Sequence, residues 1–139
     1  MSVVTQDKDI QAVIRLVELT NKGEVKWHSI SKPTAFVDSD DTSYGTAFIG
    51  SYEGFTLRIF SWQSRNLQLK SGLGGLLGRA PGSDSLYEYV WHRNVILQIV
   101  DKEGQLLWSF PTGSVVDDLY DAVRAQVSGA SRLISKLTS

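Results

Sequence analysis

The chain contains no cysteine among its 139 residues. This absence excludes a disulfide framework, a metal site built from thiolates and a cysteine nucleophile. It also fits a protein that works in a reducing compartment. With 42% hydrophobic and 21% charged residues, the composition is that of an ordinary globular protein. We therefore expect residues 1–139 to form a single domain with one core.

Histidine is scarce as well. The two histidines, His28 and His92, lie far apart in the sequence, and no third ligand accompanies them. The acidic cluster at 38–41 resembles the start of a calcium loop, but the glycine and glutamate that an EF-hand requires further along are missing. The sequence therefore predicts no metal site, and no motif in it indicates a cofactor.

Long apolar runs are absent as well. No stretch approaches the roughly 20 residues that cross a bilayer, and the first residues, "MSVVTQDKDI", lack the pattern of a signal peptide. The formal net charge of −1 produces no global field that attracts nucleic acid or a membrane surface. We therefore expect a cytoplasmic protein without a membrane partner, and nucleic acid is not a favoured partner.

Helical periodicity appears near the N-terminus. In segment 6–22, four apolar residues recur at the spacing of one helical face. Gly23 follows this segment at the place where a glycine commonly ends a helix. The pattern predicts an amphipathic helix whose buried face consists of Ile10, Val13, Ile14 and Val17.

A second helical pattern closes the chain. Apolar residues keep their phase from 115 to 137, across Gly129, which predicts one long amphipathic helix with a weak point at the glycine. Ser114 and Asp117 have the spacing of a capping box at its start.

Alternating hydrophobicity between the helices predicts strands. Segment 24–30 is a short strand, segment 86–94 is another, and segment 95–110 forms a hairpin around the turn at 101–104. The clearest hairpin covers 46–62, where a Glu53–Gly54 turn pairs Tyr52 with Phe55, Gly50 with Leu57, and Phe48 with Ile59.

Helix, meander and helix together predict an α+β fold. We expect an antiparallel β-meander of five to seven strands between an N-terminal helix and a long C-terminal amphipathic helix. Since both helices have one apolar face, we expect them to pack on one side of the sheet.

The glycine-rich stretch "SGLGGLLGRAPG" at 71–82 is not a phosphate-binding loop. Leu77 stands where a dinucleotide fingerprint needs its third glycine, and Gly78 is followed by Arg79 where a P-loop needs lysine. We expect a flexible loop over 63–85 between two strands. Such long loops are commonly functional, and three leucines enable this one to fold over a groove or against a partner: Leu73, Leu76 and Leu77.

Three segments carry a resemblance: "AVIRLVELTNKGEVKW", "ILQIVDKEGQLLW" and "VDDLYDAVRAQV". Their order resembles that of small single-domain bacterial or phage proteins to which no activity is assigned. The resemblance covers the two ends of the chain. It implies a helix–meander–helix fold and carries over no functional residues.

The second hairpin strand places aromatic and basic residues on one side. Arg58, Phe60 and Trp62 alternate along one face, and Arg65 follows. If the helices cover the other side of the sheet, these side chains form an exposed patch of the kind that marks partner surfaces. The leading hypothesis is a non-catalytic interaction or accessory protein, a homodimer or a binder of another protein, that acts through this face.

Two alternatives remain open. The sheet face and the 71–82 loop together would form a pocket for a small ligand. Interleaved bases and aromatics are also typical of single-stranded nucleic-acid binding, here through Arg58, Arg65 and Arg93. We do not expect an enzyme, because no set of acid, base and nucleophile stands out. The candidate surface therefore consists of Arg58, Phe60, Trp62, Arg65, Leu73, Leu76 and Leu77.

Overall fold

One antiparallel sheet forms the centre of the protein. The computed structural model describes residues 2–31, 33, 36–69 and 86–139. In these residues five strands pair in sequence order, which confirms the α+β meander. The elements are α1 (Ser2–Asn21), β1 (Trp27–Ile30), β2 (Thr42–Tyr52), β3 (Phe55–Leu69), β4 (Tyr87–Val100), β5 (Leu106–Ser109), α2 (Ser114–Ser128) and α3 (Ala130–Thr138). Among the described helices, none is long and apolar enough to cross a membrane.

The β2–β3 hairpin has the predicted turn and register. Glu53 has a φ of 52° and Gly54 a φ of 84°. Two positive φ values in a two-residue loop fit the twist of the flanking strands. The predicted partners are confirmed at Tyr52–Phe55, Gly50–Leu57 and Phe48–Ile59.

The core lies between one face of the sheet and helices α1 and α2. Ile59, Leu97 and Leu119 have no exposed surface and come from β3, β4 and α2. The apolar faces of the elements therefore meet in one contiguous cluster, whose buried members are Val13, Leu16, Leu19, Val25, Trp27, Phe48, Leu57, Ile59, Val95, Leu97, Val116, Leu119, Tyr120 and Val123.

Helix α1 is rotated relative to the prediction. Val13 is buried as expected, but Ile10 and Ile14 are exposed. The buried face is instead completed by Leu16, Leu19 and Thr20. The chain after α1 explains the rotation, because the Val25 main-chain N–H donates to the Leu19 carbonyl (3.3 Å) and the Trp27 indole Nε1 donates to Thr20 Oγ1 (3.0 Å).

Gln126 of α2 joins three elements through its side-chain amide. Its Oε1 accepts from the Trp27 main-chain nitrogen at 2.7 Å. Its Nε2 donates to the carbonyl oxygens of Thr20 at 3.0 Å and Val25 at 2.8 Å. One side chain thus forms hydrogen bonds with main-chain groups of α1, of the following turn and of β1.

We expect Gln126→Ala to destabilise the fold by about 2–3 kcal/mol, because partly buried polar groups lose their partner. Urea unfolding followed by circular dichroism measures this cost. Gln11→Ala, on the exposed side of α1, is the control and should stay within about 0.5 kcal/mol of wild type. Equal stability of the two variants would contradict the bridging role.

The C-terminal segment is not one long helix. Helix α2 ends at Ser128, and Gly129 has a left-handed φ of 78° with its N–H donated to the Gln126 carbonyl. A left-handed glycine is a common helix stop, so α3 is a separate helix and its Leu133, Ile134 and Leu137 are exposed. The predicted capping box is also wrong, because Gly113 is the N-cap and no side chain bonds there.

Strands β3 and β4 extend beyond the rest of the sheet. They pair without a break from Thr56–Val100 to Leu69–Tyr87. Residues 63–69, predicted as the start of the flexible loop, are therefore strand. The rest of that loop, 70–85, lies outside the described residues, and so do Leu73, Leu76 and Leu77.

Candidate functional site

The four described residues of the candidate surface lie on two faces of β3. Arg58, Phe60 and Trp62 share the face opposite the helices, as predicted. Arg65 lies on the other face because side chains alternate along a strand. Of the three basic residues named for nucleic-acid binding, Arg65 and Arg93 therefore share the helix-side face, and Arg58 lies on the opposite face.

Phe60 is covered by a loop residue. Only 6% of Phe60 is exposed. The ring of Phe36, in the β1–β2 connection, lies 4.5 Å from the Phe60 ring and 4.8 Å from that of Tyr44, with which it is stacked at 17°. The expectation of an exposed Phe60 is therefore wrong, since a segment distant in sequence packs over it. Trp62 remains partly exposed.

These aromatic residues line a groove on the open face of the sheet. Its volume is about 300 Å³. We call it the Phe36 groove, and its lining residues are Phe36, Tyr44, Phe60, Trp62, Ile96 and Gln98.

Arg58 is fixed beside the Phe36 groove by neutral acceptors. Its Nε and Nη2 donate to Gln98 Oε1 at 3.0 Å and 2.6 Å, and its Nη1 donates to the Gly104 carbonyl at 3.3 Å. The guanidinium carbon is 5.6 Å from the centre of the Phe36 ring. Burial lowers the pKa of Arg58 from its ordinary value, because desolvation disfavours the charged form.

Arg65, on the helix-side face, is held by an acid and two aromatic rings. Its Nε lies 3.0 Å from Asp41 Oδ1. Its guanidinium carbon lies 4.1 Å from the centre of the Tyr89 ring and 5.8 Å from that of Trp91. Arg65 therefore connects Asp41, which precedes β2, with the aromatic side chains of β4.

On the β3–β4 extension, one face carries large aromatic and aliphatic side chains next to Arg65, and the other face is mainly polar. Five large side chains lie on the helix-side face beyond the cover of α1 and α2, and 45–57% of each is exposed. The opposite face carries polar groups, including Gln68 Nε2 and His92 Nε2, which lie 3.1 Å apart. We call the apolar set the aromatic ribbon face: Leu67, Leu69, Tyr87, Tyr89 and Trp91.

Along the same extension, no strand of the described residues pairs with the outer edge of β4. The Phe110 N–H donates to the Leu97 carbonyl, so the main-chain groups of Leu97 point away from β3. In an antiparallel strand these directions alternate from residue to residue. The main-chain groups of four more residues therefore point outward: Tyr89, Trp91, Arg93 and Val95. Strand β5 pairs with β4 only at 98–100, and no other described strand covers this edge.

The aromatic ribbon face was missed as a site because its two strands were interpreted separately. The alternation of Tyr87, Tyr89 and Trp91 was visible, but residues 63–69 were predicted to be loop. Leu67 and Leu69 alternate with polar residues, and this signal of a continuing strand would have placed them beside the aromatics. Phe36 gave no comparable signal, because its position depends on a long connection.

Fold and surface define an α+β domain with two helices on one side of a meander and a projecting two-stranded ribbon. Within the described part of the chain, no cluster of three His, Asp or Glu side chains could hold a metal ion. Comparisons with protein-family models, curated proteins and solved structures give no match for this chain.

Proposed function

We propose that this protein is a non-catalytic interaction protein that self-associates through the aromatic ribbon face and the open edge of β4. The observation that carries the proposal is the exposure of the face, whose five large side chains lie on a fully paired ribbon. Strand pairing fixes the backbone that carries these side chains, so their burial against a partner costs little further backbone entropy.

The size of the aromatic ribbon face supports a partner. Large side chains have about 150–250 Å² of surface each, and roughly half of it is exposed here, which gives on the order of 400–500 Å² per protomer. Exposed apolar patches of this size on monomers are often functional. A standard interface buries about 800 Å² on each partner, and the adjoining strand edge supplies further surface.

The open edge of β4 favours a second copy as the partner. An exposed strand edge presents unpaired N–H and C=O groups that template the pairing of another strand. Two β4 strands related by a twofold axis perpendicular to the sheet run antiparallel, so the outward N–H and C=O groups of each strand form hydrogen bonds with those of the other. Such pairing would place both aromatic ribbon faces on the same side of one continuous sheet, where Tyr87, Tyr89 and Trp91 of the two β4 strands contact one another as cross-strand neighbours.

Sedimentation velocity over a concentration series tests self-association, and the structure offers a matched pair of variants. Trp91 and Trp108 are 45% and 46% exposed, but only Trp91 lies on the ribbon. We expect Trp91→Ser to weaken the dimer at least tenfold, because aromatic residues dominate interface energetics. Trp108→Ser should leave it unchanged. A wild-type protein that stays monomeric up to about 1 mM, beyond the affinity of a specific dimer, would overturn the proposal.

The role of the edge is tested at one residue. Tyr89→Ala removes the ring and keeps the outward N–H, whereas Tyr89→Pro removes both and leaves the β3 ladder intact, since proline is tolerated on strand edges. If β4 pairs with its copy, the proline variant has a higher dimer dissociation constant than the alanine variant, so it is monomeric at concentrations where the alanine variant is still dimeric. Equal dimer dissociation constants of the two variants would mean that the main chain of β4 does not pair with its copy and that only side chains form the interface.

A further inference from the structure

Arg58 is a partly buried cation without a counter-ion among the described residues. Its three hydrogen bonds go to an amide and a main-chain carbonyl, both neutral. By contrast, Arg65 forms an ion pair with Asp41, and Arg93 forms one with Asp121. Because partial burial disfavours the charged guanidinium, a bound anion would stabilise it.

The guanidinium of Arg58 is also held in a defined orientation. Gln98 Oε1 accepts from both Nε and Nη2, and the Gly104 carbonyl accepts from Nη1. A guanidinium has five N–H donors, so each terminal nitrogen keeps one N–H beyond these bonds. Paired N–H groups of a planar guanidinium match the two oxygens of a carboxylate.

The Phe36 groove supplies an apolar surface next to this donor. Gln98, the partner of Arg58, also lines the groove, which connects the cation with the aromatic rings. Flat rings bind well between aromatic side chains in offset-stacked or edge arrangements. A volume of about 300 Å³ lies at the lower end of the range for small-molecule sites.

We propose that the Phe36 groove binds a small aromatic carboxylate, with the ring against Phe36, Tyr44 and Trp62 and the carboxylate on Arg58. The site lies on the opposite side of the sheet from the aromatic ribbon face. Binding at this site can therefore be tested independently of self-association.

Isothermal titration with 2-naphthoate tests the site, and 2-naphthamide serves as the neutral probe of the same shape. We expect saturable binding of the acid and at least tenfold weaker binding of the amide to the wild-type protein. This comparison needs no substitution, so it remains decisive if a variant fails to fold. Absence of saturable binding of the acid up to about 1 mM, or equal binding of the two probes, would overturn the proposal.

Arg58→Gln removes the charge and keeps hydrogen-bonding capacity, and we expect it to weaken naphthoate binding at least tenfold. Arg15→Gln is the matched control, because Arg15 is exposed on α1 and pairs only with Glu18 among the described residues. The amide should bind Arg58→Gln as it binds wild type. An unchanged affinity of Arg58→Gln for the acid would refute the role of the guanidinium.

Discussion

Leu119→Ala should lower the free energy of unfolding by about 2–5 kcal/mol, the range for a buried leucine that leaves a cavity. Leu119 has no exposed surface and belongs to the cluster that joins α2 to the sheet. The shortened side chain loses both its transfer free energy and its contacts with close-packed neighbours. Urea unfolding monitored by far-ultraviolet circular dichroism gives the difference directly.

Leu137→Ala is the control for this experiment. Leu137 lies on α3 and is 74% exposed. The same chemical change at an exposed position should alter the free energy of unfolding by no more than about 0.5 kcal/mol. If the two variants were equally stable, α2 would not pack on the sheet as described.

Gly50→Ala should destabilise the protein by about 1–3 kcal/mol through overpacking. A Cβ at Gly50 would lie 2.7–3.0 Å from three atoms of the Trp27 indole. Trp27 is buried and its Nε1 is bonded to Thr20, so the indole cannot move aside without loss of that bond. Guanidinium unfolding, with tryptophan fluorescence as a second signal, measures the effect.

A second substitution identifies the indole as the cause. In Trp27→Leu the space above Gly50 is open, so Gly50→Ala in that background should cost much less than in wild type. The difference is the coupling energy of a double-mutant cycle. Gly113→Ala, where an added Cβ meets no atom within 4 Å, should be close to neutral. A null coupling energy would mean that the close approach to Trp27 does not decide the effect.

Local patterns predicted much of the fold correctly. The Glu53–Gly54 turn fixed the register of β2 and β3, because a two-residue loop determines which residues stand opposite each other. The Asp101–Gly104 turn was equally local: Asp101 Oδ1 accepts from the N–H groups of Glu103 and Gln105, and Gly104 has a positive φ of 84°.

The candidate site was predicted only in part. The alternation of β3 correctly placed Arg58, Phe60 and Trp62 on one face. It could not predict that Phe36 covers Phe60, because that contact depends on the path of the chain between two strands. Nor could it separate buried from exposed leucines of the C-terminal segment, since Leu119 and Leu137 occupy similar positions in the same helical pattern.

By itself, the sequence determined which side chains share a face, because backbone geometry imposes a period of two on strands and 3.6 on helices. It also determined the turns, where glycine permits a positive φ. Only the tertiary structure decided which faces are covered. The orientation of α1 depends on its hydrogen bond to Trp27, and α2 ends at Gly129, so that α3 is a separate helix. Strands β3 and β4 extend beyond the part of the sheet that the helices cover. Burial depends on contacts between segments distant in sequence, and no local period encodes them.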